Sequence, residues 1–373
     1  MVGGGPGAFI GPVHRMAAEL DGHVRLVAGA FSSDAARSVE AGAGYGIAAD
    51  RAYADWQSLL AAESCRQDGA EFVAIVTPNH LHLPVALAAL ESGFHVLSDK
   101  PATATLTEAL RLREAVARTD RHYGLTYTYS GYPLIRQARE MIAEGAIGSV
   151  RKVVVEYVQG WLAEPVEQTG SKQAVWRVDP AQSGAGGCIG DIGVHAFHLA
   201  EFVVGQPVTS LLADLAAIVP GRLLDDDCTV LMRFANGARG ILIASQICIG
   251  ELNGLRLRVH GDKGTLDWRQ EDPNNLVWHH LDGATQILRT GTAAIGPSGQ
   301  RAARVPGGHP EGYLEAFANL YRDFAARIRG TDRSTLLPGI EDGVRSMAFI
   351  ETAVRANHQR EGWVELEGGA ATQ

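Results

Sequence analysis

The chain has 373 residues, 46% of them apolar, and a formal charge of −9 from 33 basic and 42 acidic side chains. That length suits two to three domains of roughly 150 residues, each able to bury a core. The acidic balance excludes a broad polyanion-binding surface, so nucleic acid is not expected as the principal partner.

No apolar run reaches the ~18 residues of a membrane span. No basic segment followed by an apolar one opens the chain, so no secretory leader is expected. Cys65, Cys188, Cys228 and Cys248 are scattered and form no CxxC pair. Free thiols in a reducing compartment are expected, which implies a cytoplasmic protein with no disulfide framework and no structural zinc.

Taken in order, Met1-Val2 runs at once into Gly3-Gly4-Gly5-Pro6-Gly7-Ala8-Phe9-Ile10-Gly11. Val13, Met16, Ala17 and Leu20 then keep helical spacing. Val24 to Phe31 reads as a buried strand, 34–42 as an Ala-rich helix, and Phe72 to Val76 as a second buried strand that Pro78 stops. A helix over Pro84 to Ser92, a strand over His95 to Ser98, a helix over 107–118 and a strand over Tyr123 to Thr126 complete the series. Strands alternating with helices predict a doubly wound α/β domain over 1–126.

The pattern changes in the remainder, 127–373. Val150 to Trp161 reads as a long strand. Thr229 to Phe234 and Gly240 to Gln246 read as a hairpin around the two-residue turn Asn236-Gly237. Leu255 to His260 and Thr265 to Arg269 repeat that pattern. The glycine-rich stretch 291–308 reads as a flexible loop, a lid. Tyr313, Leu314, Phe317, Leu320, Tyr321, Phe324 and Ile328 share one helical face, and the last helices are expected to pack back on the first domain. The second domain is thus α+β, with a sheet whose helices cover one face. Val153, Val155, Tyr157, Leu242 and Ala244 alternate with Lys152, Glu156, Arg256 and Arg258. An uncovered apolar face predicts a homodimer or homotetramer joined through the sheet.

Chemistry enters at four places. The glycine turn offers Gly5, Gly7, Ala8, Phe9 and Ile10 to a pyrophosphate at a helix N-terminus. After the second strand, Ser32, Ser33 and Arg37 stand where an adenine ribose is read. No acid lies at the strand end, which favours NADP slightly over NAD; the other reading is a helix capped by Asp34 with a solvated Arg37. Thr77, Pro78, Asn79 and His82, and then Asp99-Lys100-Pro101, follow strands at their carboxyl ends. Finally, Asp191 and His195 are four apart, on one face of a helix, where a carboxylate orients an imidazole as proton acceptor. His195 with His198 lacks a third ligand, so no metal is expected.

Together these pieces resemble the Gfo/Idh/MocA family, the glucose–fructose oxidoreductase and inositol dehydrogenase group. The resemblance covers nearly the whole chain. It rests on Gly11-x-x-His14, Thr77-Pro78-Asn79-His80-Leu81-His82, Asp99-Lys100-Pro101 and Gly187-x-x-Gly190-Asp191-x-Gly193-x-His195, with Trp176-Arg177 before the last. It implies an N-terminal Rossmann domain and a C-terminal α+β domain with an open-faced, mostly antiparallel sheet. It also implies NAD or NADP as cofactor, and hydride transfer between nicotinamide C4 and a carbinol carbon of a sugar, cyclitol or related polyol. Lys100, Asp191 and His195 would be catalytic, and Trp176 and Arg177 would lie by the cofactor. Tyr129, Trp161, Lys172 and Arg177 would neighbour the substrate or the nicotinamide, since aromatic rings stack on sugar faces and cations bind hydroxyls; for Tyr129 and Trp161 core packing is the other reading. Two departures stand out: Asp99 replaces the usual Glu, and His198 replaces a frequent Asp. Some relatives are redox-assisted glycosidases and others are dinucleotide-binding regulators. Intact Lys100, Asp191 and His195 argue against the regulator, and net NAD(P) consumption separates dehydrogenase from glycosidase.

Overall fold

The computed structural model describes residues 1–332 and 335–367, except for the side chains of Lys172 and Gln173. The chain divides into two units. Met1–Thr128 with Phe317–Val344 form the first; Tyr129–Ala316 and the residues from Arg345 onward form the second.

The first unit is built as β1 (Val2–Gly3), α1 (Ile10–Glu19), α2 (Ala35–Gly44), α3 (Trp56–Glu63), β2 (Phe72–Val76), α4 (His82–Glu91), β3 (His95–Ser98), α5 (Leu106–Ala117) and β4 (Tyr123–Leu125). The strands pair in parallel in the order β1-β2-β3-β4, with Val2 opposite Ile75 and Val73 opposite Val96. Val73 to Val76 are all buried, as a strand covered on both faces requires. Val24 to Phe31 is a correction: only Gly29 and Ala30 make bridges, Ala30 to Val2 and Gly29 to Ala52. Pairing beside β1 reaches back to Ala28, whose carbonyl accepts the Met1 amino group, and 24–27 make no ladder. Helix α3, capped by the Asp55 side chain on Ser58 N–H, has no counterpart in the pattern reading.

The second unit contains α6 (Pro133–Ala143), β5 (Val150–Val158), α7 (Lys172–Arg177), α8 (Pro180–Ser183), α9 (Val194–Val204), β6 (Val208–Ala216), β7 (Asp227–Phe234), β8 (Arg239–Ser245), β9 (Gly254–Gly261), β10 (Gly264–Arg269), β11 (Asp272–His280), β12 (Gln286–Arg289) and α10 (Pro297–Ala302). Two long helices, α11 (Tyr313–Arg329) and α12 (Ile340–Gln359), and the short β13 (Val364–Glu365) complete the chain. Among the described residues the sheet has nine strands, β12-β11-β10-β9-β5-β8-β7-β6-β13. Only the β5–β8 pair is parallel, so the sheet is mostly antiparallel. Helices α6 and α9 pack on one face. That face buries Val153, Val155, Tyr157, Cys228, Leu242, Ala244, Leu257 and Trp268.

Three expectations are corrected here. Strand β5 stops at Val158, short of Trp161. The β7–β8 hairpin closes through Ala235-Asn236-Gly237, because Phe234 N–H donates to Ala238 O and Gly237 N–H to Phe234 O. Gly237 then takes φ +87°, the left-handed position a three-residue hairpin loop needs. The stretch 291–308 is not a bare loop: it contains α10, whose start is fixed by α6. Gly296 N–H donates to Gln137 Oε1, and Ser298 N–H to Glu140 Oε2. Among the described residues no helix is long and apolar enough to cross a membrane.

Candidate active site

In the first unit the glycine turn links β1 to α1. A Cβ on Gly11 would lie 2.4 Å from Gly4 Cα, so only glycine lets the helix start this close to the turn. The Tyr45 hydroxyl donates to Gly4 O at 2.6 Å and fixes the same turn. Helix α1 has no side-chain cap and no acid in its first turn. Its leading N–H groups are therefore left for an anion, beside Ala8, Phe9 and Ile10. These residues fit a dinucleotide pyrophosphate.

At the ribose position, the Asp34 side chain accepts Arg37 N–H at 2.9 Å and caps α2. Ser32 Oγ accepts Asp34 N–H at 3.2 Å, while Ser33 and Arg37 are exposed. The capped-helix reading thus describes this corner, with the Arg37 guanidinium on the surface.

A buried imidazole lies between the two motif loops at the strand ends. His82 Nδ1 lies 2.7 Å from Pro101 O and its Nε2 lies 2.9 Å from Thr77 O. Burial holds its pKa below the ordinary histidine value. His82, 1% exposed, therefore shapes the Thr77-Pro78-Asn79 and Asp99-Lys100-Pro101 loops rather than presenting a surface of its own. Asp99 Oδ1 accepts Lys100 N–H at 2.8 Å and the Thr126 hydroxyl at 3.1 Å.

In the second unit, Asp191 and His195 do not lie on one regular α-helix. Ile189–Gly193 is a π-helical turn, with Val194 N–H reaching Ile189 O, and it runs into α9, which carries His195. Such wide turns recur at functional sites. The turn is stapled by Asp225, whose carboxylate accepts Gly187 N–H and Ile189 N–H at 2.7 Å each. Burial raises the Asp225 pKa to about 6. Asp191 Oδ2 accepts Arg177 Nε at 2.9 Å and Gln246 Nε2 at 3.0 Å. The Arg177 guanidinium lies over Trp176 at 4.4 Å and Trp161 at 5.8 Å.

His195 packs against aromatic rings, edge-on to Tyr129 at 5.0 Å and tilted to Tyr157 at 6.2 Å. The Tyr129 and Tyr157 hydroxyls bond to each other, and Tyr157 donates to Asn253 Oδ1 at 2.6 Å. Gln159 Nε2 also donates to Asn253 Oδ1, and Trp161 Nε1 donates to Gln159 Oε1. Aromatic and amide groups thus run from Tyr129 to Trp161 along one end of β5. Tyr129 is buried, whereas Trp161 is 38% exposed. The Lys172 side chain lies outside the described residues.

Sequence reasoning missed Asp225, Gln246, Tyr157, Gln159 and Asn253. Asp225 opens the run Asp225-Asp226-Asp227 just before a strand, the one local signal available. It also missed that Cys188 and Cys228, though scattered in sequence, meet. Their sulfurs and an Asp225 oxygen lie within 4.8 Å of one another. With both Asp225 oxygens taken by backbone N–H groups, that carboxylate works as a staple.

Two family models match. The model for an oxidoreductase family with an NAD-binding Rossmann fold matches residues 1–127, and the GFO/IDH/MocA C-terminal domain model matches 135–267. The chain belongs to the Gfo/Idh/MocA family of NAD-binding oxidoreductases. It is 34% identical to the uncharacterized oxidoreductase YfiI of Bacillus subtilis, over 98% of this chain and 96% of that one. It is 27% identical to levoglucosan dehydrogenase of Pseudarthrobacter phenanthrenivorans, over 84% and 83%. Among solved structures, an inositol dehydrogenase homolog from Azotobacter vinelandii complexed with NADH and myo-inositol superposes with a TM-score of 0.90 at 36% identity, covering 98% and 96%. Levoglucosan dehydrogenase in complex with NADH and levoglucosan gives 0.85 at 27%, covering 98% of each chain.

Proposed function

We propose that this protein is an NAD(H)-dependent dehydrogenase acting on a carbinol carbon of a sugar, cyclitol or related polyol. The observation that supports it most is the whole-chain likeness to proteins holding NADH with myo-inositol or levoglucosan. The site chemistry agrees. Bound NAD supplies the hydride acceptor at nicotinamide C4. The chain's own task is to hold the polyol and take the hydroxyl proton as the C–H bond gives up its hydride. The α1 start and the Thr77 and Asp99–Pro101 loops would hold the dinucleotide. Lys100 or His195 would take that proton, and Asp191, fixed by Arg177 and Gln246, would orient the imidazole. Tyr129, Trp161, Lys172 and Arg177 would line the polyol. The working protein is a cytoplasmic homo-oligomer paired through the outer sheet face.

The test is stoichiometric. Sugars, inositols and glycosides are offered with NAD and with NADP, and reduced nicotinamide is followed by absorbance. One NADH per polyol oxidised is expected. Glycoside cleavage without NADH accumulation, or no turnover across the panel, overturns the reading.

A further inference from the structure

Asp99 is hydrogen-bonded through one oxygen, and its other oxygen faces a buried imidazole. While Oδ1 takes the Lys100 and Thr126 donors, Oδ2 faces His14 Nε2 at 3.8 Å. His14 is fully buried on α1, edge-on to Phe317 at 4.9 Å and to Tyr321 at 5.9 Å. Its Nδ1 lies 2.8 Å from the Tyr321 hydroxyl, which comes from a helix 307 positions away in the chain. A neutral imidazole has one N–H. Were that proton on Nδ1, the bare lone pair of Nε2 would face a carboxylate in a buried place, an arrangement electrostatics penalises. Tyr321 O–H therefore donates to Nδ1, and the imidazole proton sits on Nε2, toward Asp99. Burial and the Asp99 charge raise the Tyr321 pKa, so the phenol keeps the proton it donates. Burial alone would push the Asp99 carboxyl up; His14, Lys100 and His82 hold it below the usual carboxylate range instead.

We propose that His14, oriented by Tyr321, is a positioning residue for Lys100. By drawing on one oxygen of Asp99 it fixes the carboxylate whose other oxygen holds the Lys100 N–H. The Asp side chain is short, so turning it away from His14 breaks the Lys100 bond as well. Among the described residues His14 Nε2 makes no hydrogen bond, and the 3.8 Å approach to Asp99 Oδ2 is its polar contact. This inference rests on the reading of Lys100 as a proton acceptor.

The chain has four lysines, at 100, 152, 172 and 263. Protein labelled with [ε-13C]lysine therefore gives four NMR signals, and Lys100→Arg assigns the relevant one without any substrate. His14→Leu is expected to displace the Lys100 signal and to lower kcat for myo-inositol with NAD about tenfold or more. NADH affinity, read by fluorescence, is expected to fall much less than kcat, since the glycine turn is untouched. His14→Gln keeps an N–H donor and should recover most of both losses; Tyr321→Phe should fall between. Should His14→Leu not fold, the contrast of His14→Gln with Tyr321→Phe carries the test, with the larger displacement in Tyr321→Phe. An unmoved Lys100 signal in the folded variants overturns the proposal. So does a fall in NADH affinity that matches the fall in kcat, since that marks a merely structural role. Lys100→Ala separates the two readings. Full turnover in that variant overturns the reading of Lys100 itself, whereas an inactive Lys100→Ala beside an unaffected His14→Leu and Tyr321→Phe overturns the role of His14 alone.

Discussion

Lys100 and His195 carry the proposed chemistry. Lys100→Ala and His195→Ala should each lower turnover by about 10² to 10⁴, the usual cost of losing a general base. NADH affinity should change far less; steady-state kinetics beside a fluorescence titration check this, and near-wild-type activity in both variants would contradict the site. Arg37 gives a second prediction. It is exposed in the first turn of α2, where a 2′-phosphate would recruit its guanidinium. Arg37→Ala should weaken NADP binding by about 1.5–3 kcal/mol and leave NAD unchanged, as measured by titration with each reduced cofactor. Equal loss for both would make Arg37 a plain helix residue. At this scale the sequence was legible wherever neighbours in the chain are neighbours in the site, as in Asp99-Lys100-Pro101. Gln246, Asn253 and the His14–Tyr321 pair were not legible. Each depends on a strand register or a helix docking that joins distant segments, and one-dimensional spacing does not encode that.

Elements decide how rigidly those residues stand. The π-turn that carries Asp191 leaves the Gly187 and Ile189 N–H groups outside any ladder, and Asp225 takes both. Asp225→Asn keeps one acceptor and turns a donor on the other N–H, so it should lower the melting temperature at any pH. The pH dependence has a definite sign. The folded pKa of about 6 is raised above the unfolded value near 3.8, so this group's contribution is fully present below the unfolded pKa and is lost as pH rises through about 6. The gap in melting temperature between wild type and Asp225→Asn should therefore widen as pH falls from 7.5 to 5. Calorimetry at the two pH values decides it, and a narrowing gap would contradict the staple's buried character. Pattern reading placed β2 and β3 correctly because their apolar runs are bounded by turn residues. It overran at 24–27, where an apolar run lacks a partner strand, since a strand's existence depends on its neighbour as much as on itself. It also took the Asn236-Gly237 signal for a two-residue turn, although the same dipeptide suits the longer loop.

Across the whole molecule, the sheet of the second unit has two unlike faces. Helices cover one; the other shows Leu231 at 37% and Ile287 at 53% exposure, with Val154, Ile241 and Ile243 half-buried between them. On that face Asp267 and Arg258 lie between Ile287 and Val154, and the charged side chains are mutually paired, Arg256 with Asp267 and Arg258 with Glu156. Ion pairs already satisfied within one chain do not resist a second copy, and an isologous contact hides both apolar strips at once. Light scattering behind a sizing column at low micromolar concentration should give twice or four times the 39.7 kDa chain mass. A sharp peak at the single-chain mass would contradict it. Fold class was legible at this scale because strand–helix alternation and hairpin grammar extend over the whole chain, whereas the polyol depends on a handful of loop side chains. If a hydride passes directly between a polyol carbon and nicotinamide C4, deuterium at the carbinol carbon must arrive on the cofactor. NAD is offered with a polyol of the panel deuterated at its carbinol carbons, and the reduced cofactor is examined by mass spectrometry and NMR. One deuterium at C4 of the nicotinamide is expected, with slower turnover than the protiated polyol; reduced cofactor without deuterium rules direct transfer out.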